Sequence, residues 1–271
     1  MVSNYAEDYS NNELMVATIA RELRDDELCF VGVGTAGRAF TLVVGIPIAA
    51  ARLAQLTHAP NVTIYWGNLL SPDLERIPSD LSQDSITRWP TAAALADTGF
   101  KVDMITKGDF DVSFDSAPQV DRYGNMNITA IGDYKHPKVR LVGCLAQPEH
   151  FAFVRRPIIV VDLEKRTFVD KVDFVTSVGY YQGGDSRIRK GLRPYGPWRV
   201  VTDKAVFDFD EKSKEMRLLS LYPGVTLEEV LERMRFRPLI AETILETEPP
   251  TLNQVRLIRE AIDPNHVLLR V

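Results

Sequence analysis

The stretch that most limits what this chain can become is Ala117-Pro118-Gln119-Val120-Asp121-Arg122-Tyr123-Gly124-Asn125-Met126-Asn127, continuing through Ile128-Thr129-Ala130-Ile131-Gly132-Asp133-Tyr134-Lys135-His136-Pro137. Asp111, Val112, Ser113 and Phe114 alternate polar and apolar, so a strand leads into it. Gly124-Asn125 tolerates the positive φ of a tight reversal, and Ile128 to Ile131 reads as a second short strand. Between them stand Gln119, Asp121, Arg122, Asn125 and Asn127, with more hydrogen-bonding capacity than a hairpin uses. The stretch is either a polar, solvated turn or a set of groups arranged for a pocket or a neighbouring chain.

A chain of 271 residues buries a full core and suits one large α/β domain or two small ones. Its 32 Lys plus Arg against 37 Asp plus Glu leave a net charge of −5, with no basic footprint for nucleic acid. Cys29 and Cys144 are too few for a disulfide framework or a Cys-rich metal site, which fits a reducing cytoplasm. The polar, acidic start, Met1 to Ser10, does not resemble a signal peptide, and no apolar run is expected to reach membrane-span length. None of the four histidines, His58, His136, His150 and His266, is paired at ligand spacing, so no metal is expected.

Asn11 or Asn12 is expected to cap a helix through Val16, Ile19, Ala20 and Leu23. Cys29 to Gly34 reads as a buried strand running into a glycine-containing loop, followed by a helix from about Ile46 to Thr57. Gly32, Gly34 and Gly37 fall at G-x-G-x-x-G spacing, but no Asp or Glu follows between residues 38 and 72 to hold a ribose, so a nicotinamide site is rejected. Gly34 ends the strand where open α/β sheets bind ligands. Gly45-Ile46-Pro47 opens the helix, either as a well-made start or as an N-terminus facing an anion such as a phosphate or a carboxylate.

Asn61 to Asn68 is the second strand and its exit, through Trp66, Gly67 and Asn68. Ile86 to Gly99 has room for a helix around Ala92-Ala93-Ala94-Leu95. Val139 to Gly143 is a further strand, and Cys144 is expected to be small and buried. Pro157 to Val161, Lys171 to Val175, Trp198 to Thr202, Ala205 to Phe209 and Arg217 to Leu221 read as strands. The Gly-rich segment from Tyr180 to Arg193, with Arg187, Arg189 and Lys190, is either a solvated loop or a site for phosphate groups. Thr226 and Thr251 open helices with capping boxes. Alternating strands and helices followed by a run of strands indicate an α/β fold: an open, mostly parallel sheet with an antiparallel C-terminal portion.

The run Gln-Val-Asp-Arg-Tyr-Gly-Asn-Met-Asn at 119–127, followed by Ile-Gly-Asp-Tyr-Lys-His-Pro-Lys, resembles the β subunit of the class I CoA-transferases, of the glutaconate type. It is similar also to the β subunits of steroid ring-cleaving acyl-CoA hydrolases. The likeness runs from the first helix to Ile262-Asp263-Pro264 and implies the CoA-transferase sheet over a single domain, 1–271, with an α subunit of similar fold beside it in a heterodimer or heterotetramer. It implies an acyl-CoA substrate, with coenzyme A arriving as part of it and no permanently bound cofactor. Gly34, Gly45, Trp66, Gly67, Asn68, Gln119, Arg122, Asn125 and Asn127 are then substrate-binding or interface candidates.

The chain departs from the family at two places. The transferases end the second strand in a glutamate that attacks the thioester, and the matching position here is Trp66, or Tyr65 if the register slips. Neither supplies the carboxylate nucleophile that covalent CoA transfer needs. Where the transferases carry a glycine-rich loop after the next strand, this chain has Cys144-Leu145-Ala146-Gln147-Pro148-Glu149-His150. Glu149 and His150 are types suited to general acid or base work, or else solvent-facing loop residues. The resemblance thus implies the β subunit of a heteromeric enzyme that hydrolyses a C–C bond or decarboxylates its acyl group. A genuine CoA-transferase β chain, or a non-catalytic binding or scaffold subunit, are the alternatives.

Overall fold

The computed structural model describes residues 4–34, 36–81, 88–94 and 97–269; the expectations that fall on Thr35, Ile86 and Leu95 lie outside the described residues. The chain forms two compact units: the first is Met1–Met104, Asp109–Phe114 and Glu248–Val271, the second Ile105–Gly108 and Asp115–Thr247.

In the first unit, helix α1 (Asn11–Glu22) is capped by Ser10 rather than by an asparagine, because Glu13 three residues on completes a capping box with it. Strand β1 (Leu28–Val31) runs parallel to β2 (Thr63–Trp66) on one side and to β5 (Val112–Asp115) on the other. β3 (Leu69–Pro72) folds back on β2, and β4 (Thr91–Ala94) pairs antiparallel with β3. The helix expected around Ala92 is therefore a strand: β3 supplies a ladder that outweighs the helix propensity of three alanines. Helix α3 (Thr98–Lys107) follows.

Helix α2 (Gly37–Thr57) begins nine residues before the expected start. Its Thr41–Gly45 turn is a π-turn, in which Ile46 N–H donates to the Thr41 carbonyl. The wider ring suits Pro47, which has no N–H to give the preceding turn. Gly45 is thus mid-helix, not at an N-terminus facing an anion. At 21 residues, with mean hydropathy 1.7 over its most apolar 18, this helix has the length and composition of a span, contrary to the sequence expectation, but 78% of that window is buried inside the protein, as in a core helix.

The second unit builds its sheet from β10 (Arg156–Val160) parallel to β11 (Arg199–Val201), then β12 (Ala205–Phe209) and β13 (Met216–Leu221) antiparallel, and β14 (Leu239–Glu246) parallel again. Antiparallel pairing thus occurs in the first unit as well as in the C-terminal portion. Ile159, Val161, Phe168, Val200, Phe207, Met216, Leu218, Val230 and Phe236 form the core of this unit. Helix α6 (Leu227–Glu232) is capped by Thr226, and α7 (Leu252–Leu257), in the first unit, by a Thr251 and Gln254 box. Lys171 to Val175, expected as a strand, pairs with no ladder, because its polar groups bind the central stretch instead.

Candidate active site

In the first unit, Trp66 closes β2 with 4% of its surface exposed. Its indole N–H donates to the Gly32 carbonyl at 3.1 Å, and its ring meets that of Trp89 edge-on at 5.9 Å. Tyr65 points to the opposite face of the strand, packed on Phe30 and Phe110. Burial pushes its phenol up to about 12, so it stays neutral. Gly67, at φ +62°, and Asn68 form the two-residue turn into β3. Glu75, the nearest glutamate downstream, is exposed and ion-paired with Arg52 at 2.9 Å. Gly34 packs against Phe40 and Val43.

The central stretch, in the second unit, folds as expected into a small hairpin, β6 (Gln119–Val120) against β7 (Met126–Asn127), reversing at Gly124 with φ +68°. The polar side chains, however, face inward. Asp121 accepts from the backbone N–H groups of Tyr123 and Asn125 and from the Asn125 amide, and Asn125 Oδ1 accepts from Gly179 and Tyr181 N–H. Gln119 Oε1 accepts from Asn127 Nδ2 at 2.7 Å and from Asp173 N–H at 3.0 Å. Asn127 caps the turn into β8 (Ala130–Ile131), which pairs with β9 (Val139–Arg140). Arg122 is half-buried over the Phe236 ring, with Asp170 at 3.2 Å. The polar groups of this stretch, read as either a solvated turn or a set arranged for a pocket or neighbouring chain, form a buried hydrogen-bonded network with Arg122 at its half-buried edge.

The run after Gly143 corrects the sequence reading further. Cys144 is exposed rather than buried, and Gln147–Phe153 is a helix, α4, not a loop. Pro148 sits in its first turn, where a missing N–H costs nothing. Consecutive helical residues point about 100° apart, and the structure separates Glu149 from His150 accordingly. His150 turns inward, 4% exposed, with Nδ1 2.9 Å from Oδ1 of Asp115 at the end of β5. Glu149 turns the other way into an open groove of about 240 Å³, lined with Pro148, Ala152, Phe153, Thr176, Val178 and Leu192. The two are not a joint proton-transfer pair. Glu149 lines the groove, while His150 bonds Asp115 from the inner face of the helix that carries both.

Sequence reasoning missed Asp115 and the far wall of the groove. Asp115 lies 35 residues from His150, and only its place at a strand end hinted at a role. Arg187, in the basic segment read as either a solvated loop or a phosphate site, is buried in the turn around α5 (Ser186–Arg189). Among the described residues no group of three or more His, Cys, Asp or Glu is placed to hold a metal ion.

The chain matches the family model for coenzyme A transferase over residues 12–233. It is 37% identical to the β chain of 3-oxoadipate CoA-transferase from Pseudomonas knackmussii, over 93% of this chain and 92% of that one. It is 32% identical to the IpdB chain of the cholesterol ring-cleaving hydrolase of Mycobacterium tuberculosis, over 79% and 82%. The crystal structure of glutaconate coenzyme A-transferase from Acidaminococcus fermentans superposes with a TM-score of 0.81 at 32% identity, covering 98% of this chain and 99% of that one. That of the decarboxylase AibA/AibB superposes with a TM-score of 0.76 at 25% identity, covering 95% and 96%. On sequence and fold together, this chain belongs to the coenzyme A transferase family.

Proposed function

We propose that this chain is the β subunit of a two-chain enzyme that takes an acyl-CoA thioester and cleaves or decarboxylates its acyl part, rather than moving CoA between acids. The observation that carries the reading is Trp66, buried at the end of β2 and hydrogen-bonded to Gly32, at the position where the resemblance puts the transferases' nucleophilic glutamate. An indole forms neither an anhydride nor a glutamyl thioester. Glu75 is held at the surface by Arg52. A ring-cleaving hydrolase chain and a decarboxylase among the relatives support the same direction.

In this reading Glu149 donates or accepts a proton beside the acyl group. A further carboxylate comes from an α subunit in a heterodimer or heterotetramer. The apolar side chains of Val139, Val142 and Leu145, the last two 80% and 65% exposed, suit coverage by that companion. Coenzyme A enters and leaves with the substrate, no cofactor stays bound, and the reaction takes place in the cytoplasm.

The test is to purify the chain with its companion subunit and incubate the complex with a panel of acyl-CoA esters, following products by mass spectrometry. The expected result is a shortened or ring-opened acyl product and no hydroxylamine-sensitive glutamate in this chain. A CoA-bearing glutamate here, with CoA passed to an acceptor acid, would establish the second reading, a CoA-transferase β chain, which the 37% identity to the 3-oxoadipate CoA-transferase chain favours. Binding without conversion would make the chain a ligand-binding or scaffold subunit.

A further inference from the structure

Arg187 is among the largest fully buried side chains of the described residues, with 1% of its surface exposed. A buried guanidinium ordinarily faces a carboxylate; this one faces backbone carbonyls. Nε–H donates to the Arg193 carbonyl at 2.8 Å, one terminal nitrogen donates to those of Val178 and Gly179 at 2.6 Å each, and the other donates to that of Phe151. Burial holds it well below the usual arginine range, at about 10, so it remains charged at neutral pH.

The partners are not scattered. Phe151 belongs to α4, whose last carbonyls lack intrahelical donors; Arg187 caps Phe151, and Arg193 reaches Phe153 at 3.3 Å. Val178 and Leu192 form the wall opposite α4, and Leu192 N–H donates to the carbonyl of Arg187 itself. Gly179 N–H donates to Asn125, so the same guanidinium is joined to the buried network of the central stretch. One planar fork therefore touches each segment that lines the Glu149 groove. Its geometry is fixed, which a lysine's flexible ammonium cannot reproduce.

We infer that Arg187 is a positioning residue: it sets the separation between Glu149 on α4 and the Val178 and Leu192 wall, and so the shape of the space offered to the acyl group. The inference rests on the acid-base reading of Glu149, while the clamp is read out independently of turnover.

The experiment is hydrogen exchange by mass spectrometry on the full chain with its companion subunit, for Arg187→Ala, Arg187→Lys and wild type, with methylguanidinium as the added probe. Arg187→Ala is expected to raise exchange about tenfold in the peptides spanning 147–154 and 176–179, leaving β12 and β13 protected. Millimolar methylguanidinium is expected to restore that protection in Arg187→Ala and to change nothing in wild type. Arg187→Lys, which keeps the charge, is expected to show the same local rise in smaller degree and serves alone if the alanine variant does not fold. Unchanged exchange in those peptides, or a rise spread evenly over the second unit, would overturn the inference. A complex that converts no acyl-CoA but shows the local rise would remove the functional reading of Glu149 and leave the clamp standing.

Discussion

His150 and Asp115 meet inside the second unit, Nδ1 to Oδ1 at 2.9 Å, with both side chains buried. The neighbouring Glu149 faces the groove, so adjacent substitutions are expected to differ in kind. His150→Ala strips a buried carboxylate of a partner and should lower unfolding free energy by about 2–4 kcal/mol. Glu149→Gln should leave stability within about 0.5 kcal/mol of wild type and reduce turnover in the two-chain complex. Urea unfolding of both variants checks this; equal stability losses would refute the separation of roles.

Trp66 gives a second expectation. Trp66→Phe keeps the aromatic contact with Trp89 but gives up the bond to Gly32, and should lose about 1–2 kcal/mol. Trp66→Glu restores the transferases' residue type but buries a carboxylate where an indole was, and should lose more than about 3 kcal/mol. It is expected to yield no CoA-bearing glutamate, by mass spectrometry after incubation with acyl-CoA. Appearance of that adduct would show that the strand end already has transferase geometry.

What the sequence disclosed was governed by range. β12 matches its expected bounds because its pattern is decided locally, and the Thr251 box was legible because its hydrogen bonds span three residues. The alanines of β4 and the stretch from Lys171 to Val175 misled because distant partners decide them: β3 for the first, Gln119 and Gly132 for the second. The site divided in the same way. Trp66 could be expected to be buried from its own chemistry, whereas the inward turn of His150 depends on Asp115, and that of Arg187 on carbonyls that carry no sequence signature.

Gly45 marks a close approach within the first unit. A Cβ there would stand 1.9 Å from the Leu268 carbonyl oxygen, a backbone atom held in place by a turn in which Asp263 accepts the N–H groups of Val267, Leu268 and Leu269. Gly45→Ala should therefore lose about 2–3 kcal/mol despite the better helix propensity of alanine. Protease sensitivity should rise in the C-terminal turn before the rest of the unit. A stabilised variant would contradict the contact.

Asp121 makes stability depend on pH with a definite sign. Burial pushes its carboxyl up to about 6, against the opposing pull of donors from Asn125, Tyr123 and Val172. An unfolded aspartate releases its proton near 3.9, so between about pH 4 and pH 6 the folded chain holds a proton that the unfolded chain has lost. The contribution of this carboxyl to stability is therefore largest at the acid end of that window and declines as pH rises, by on the order of 3 kcal/mol across it. Asp121→Asn does not titrate and removes the slope. The difference in unfolding free energy between wild type and this variant, measured in urea at pH 4.5 and 6.5, should move against wild type as pH rises; a difference that stays flat or grows would mean that the donors around Asp121 outweigh its desolvation.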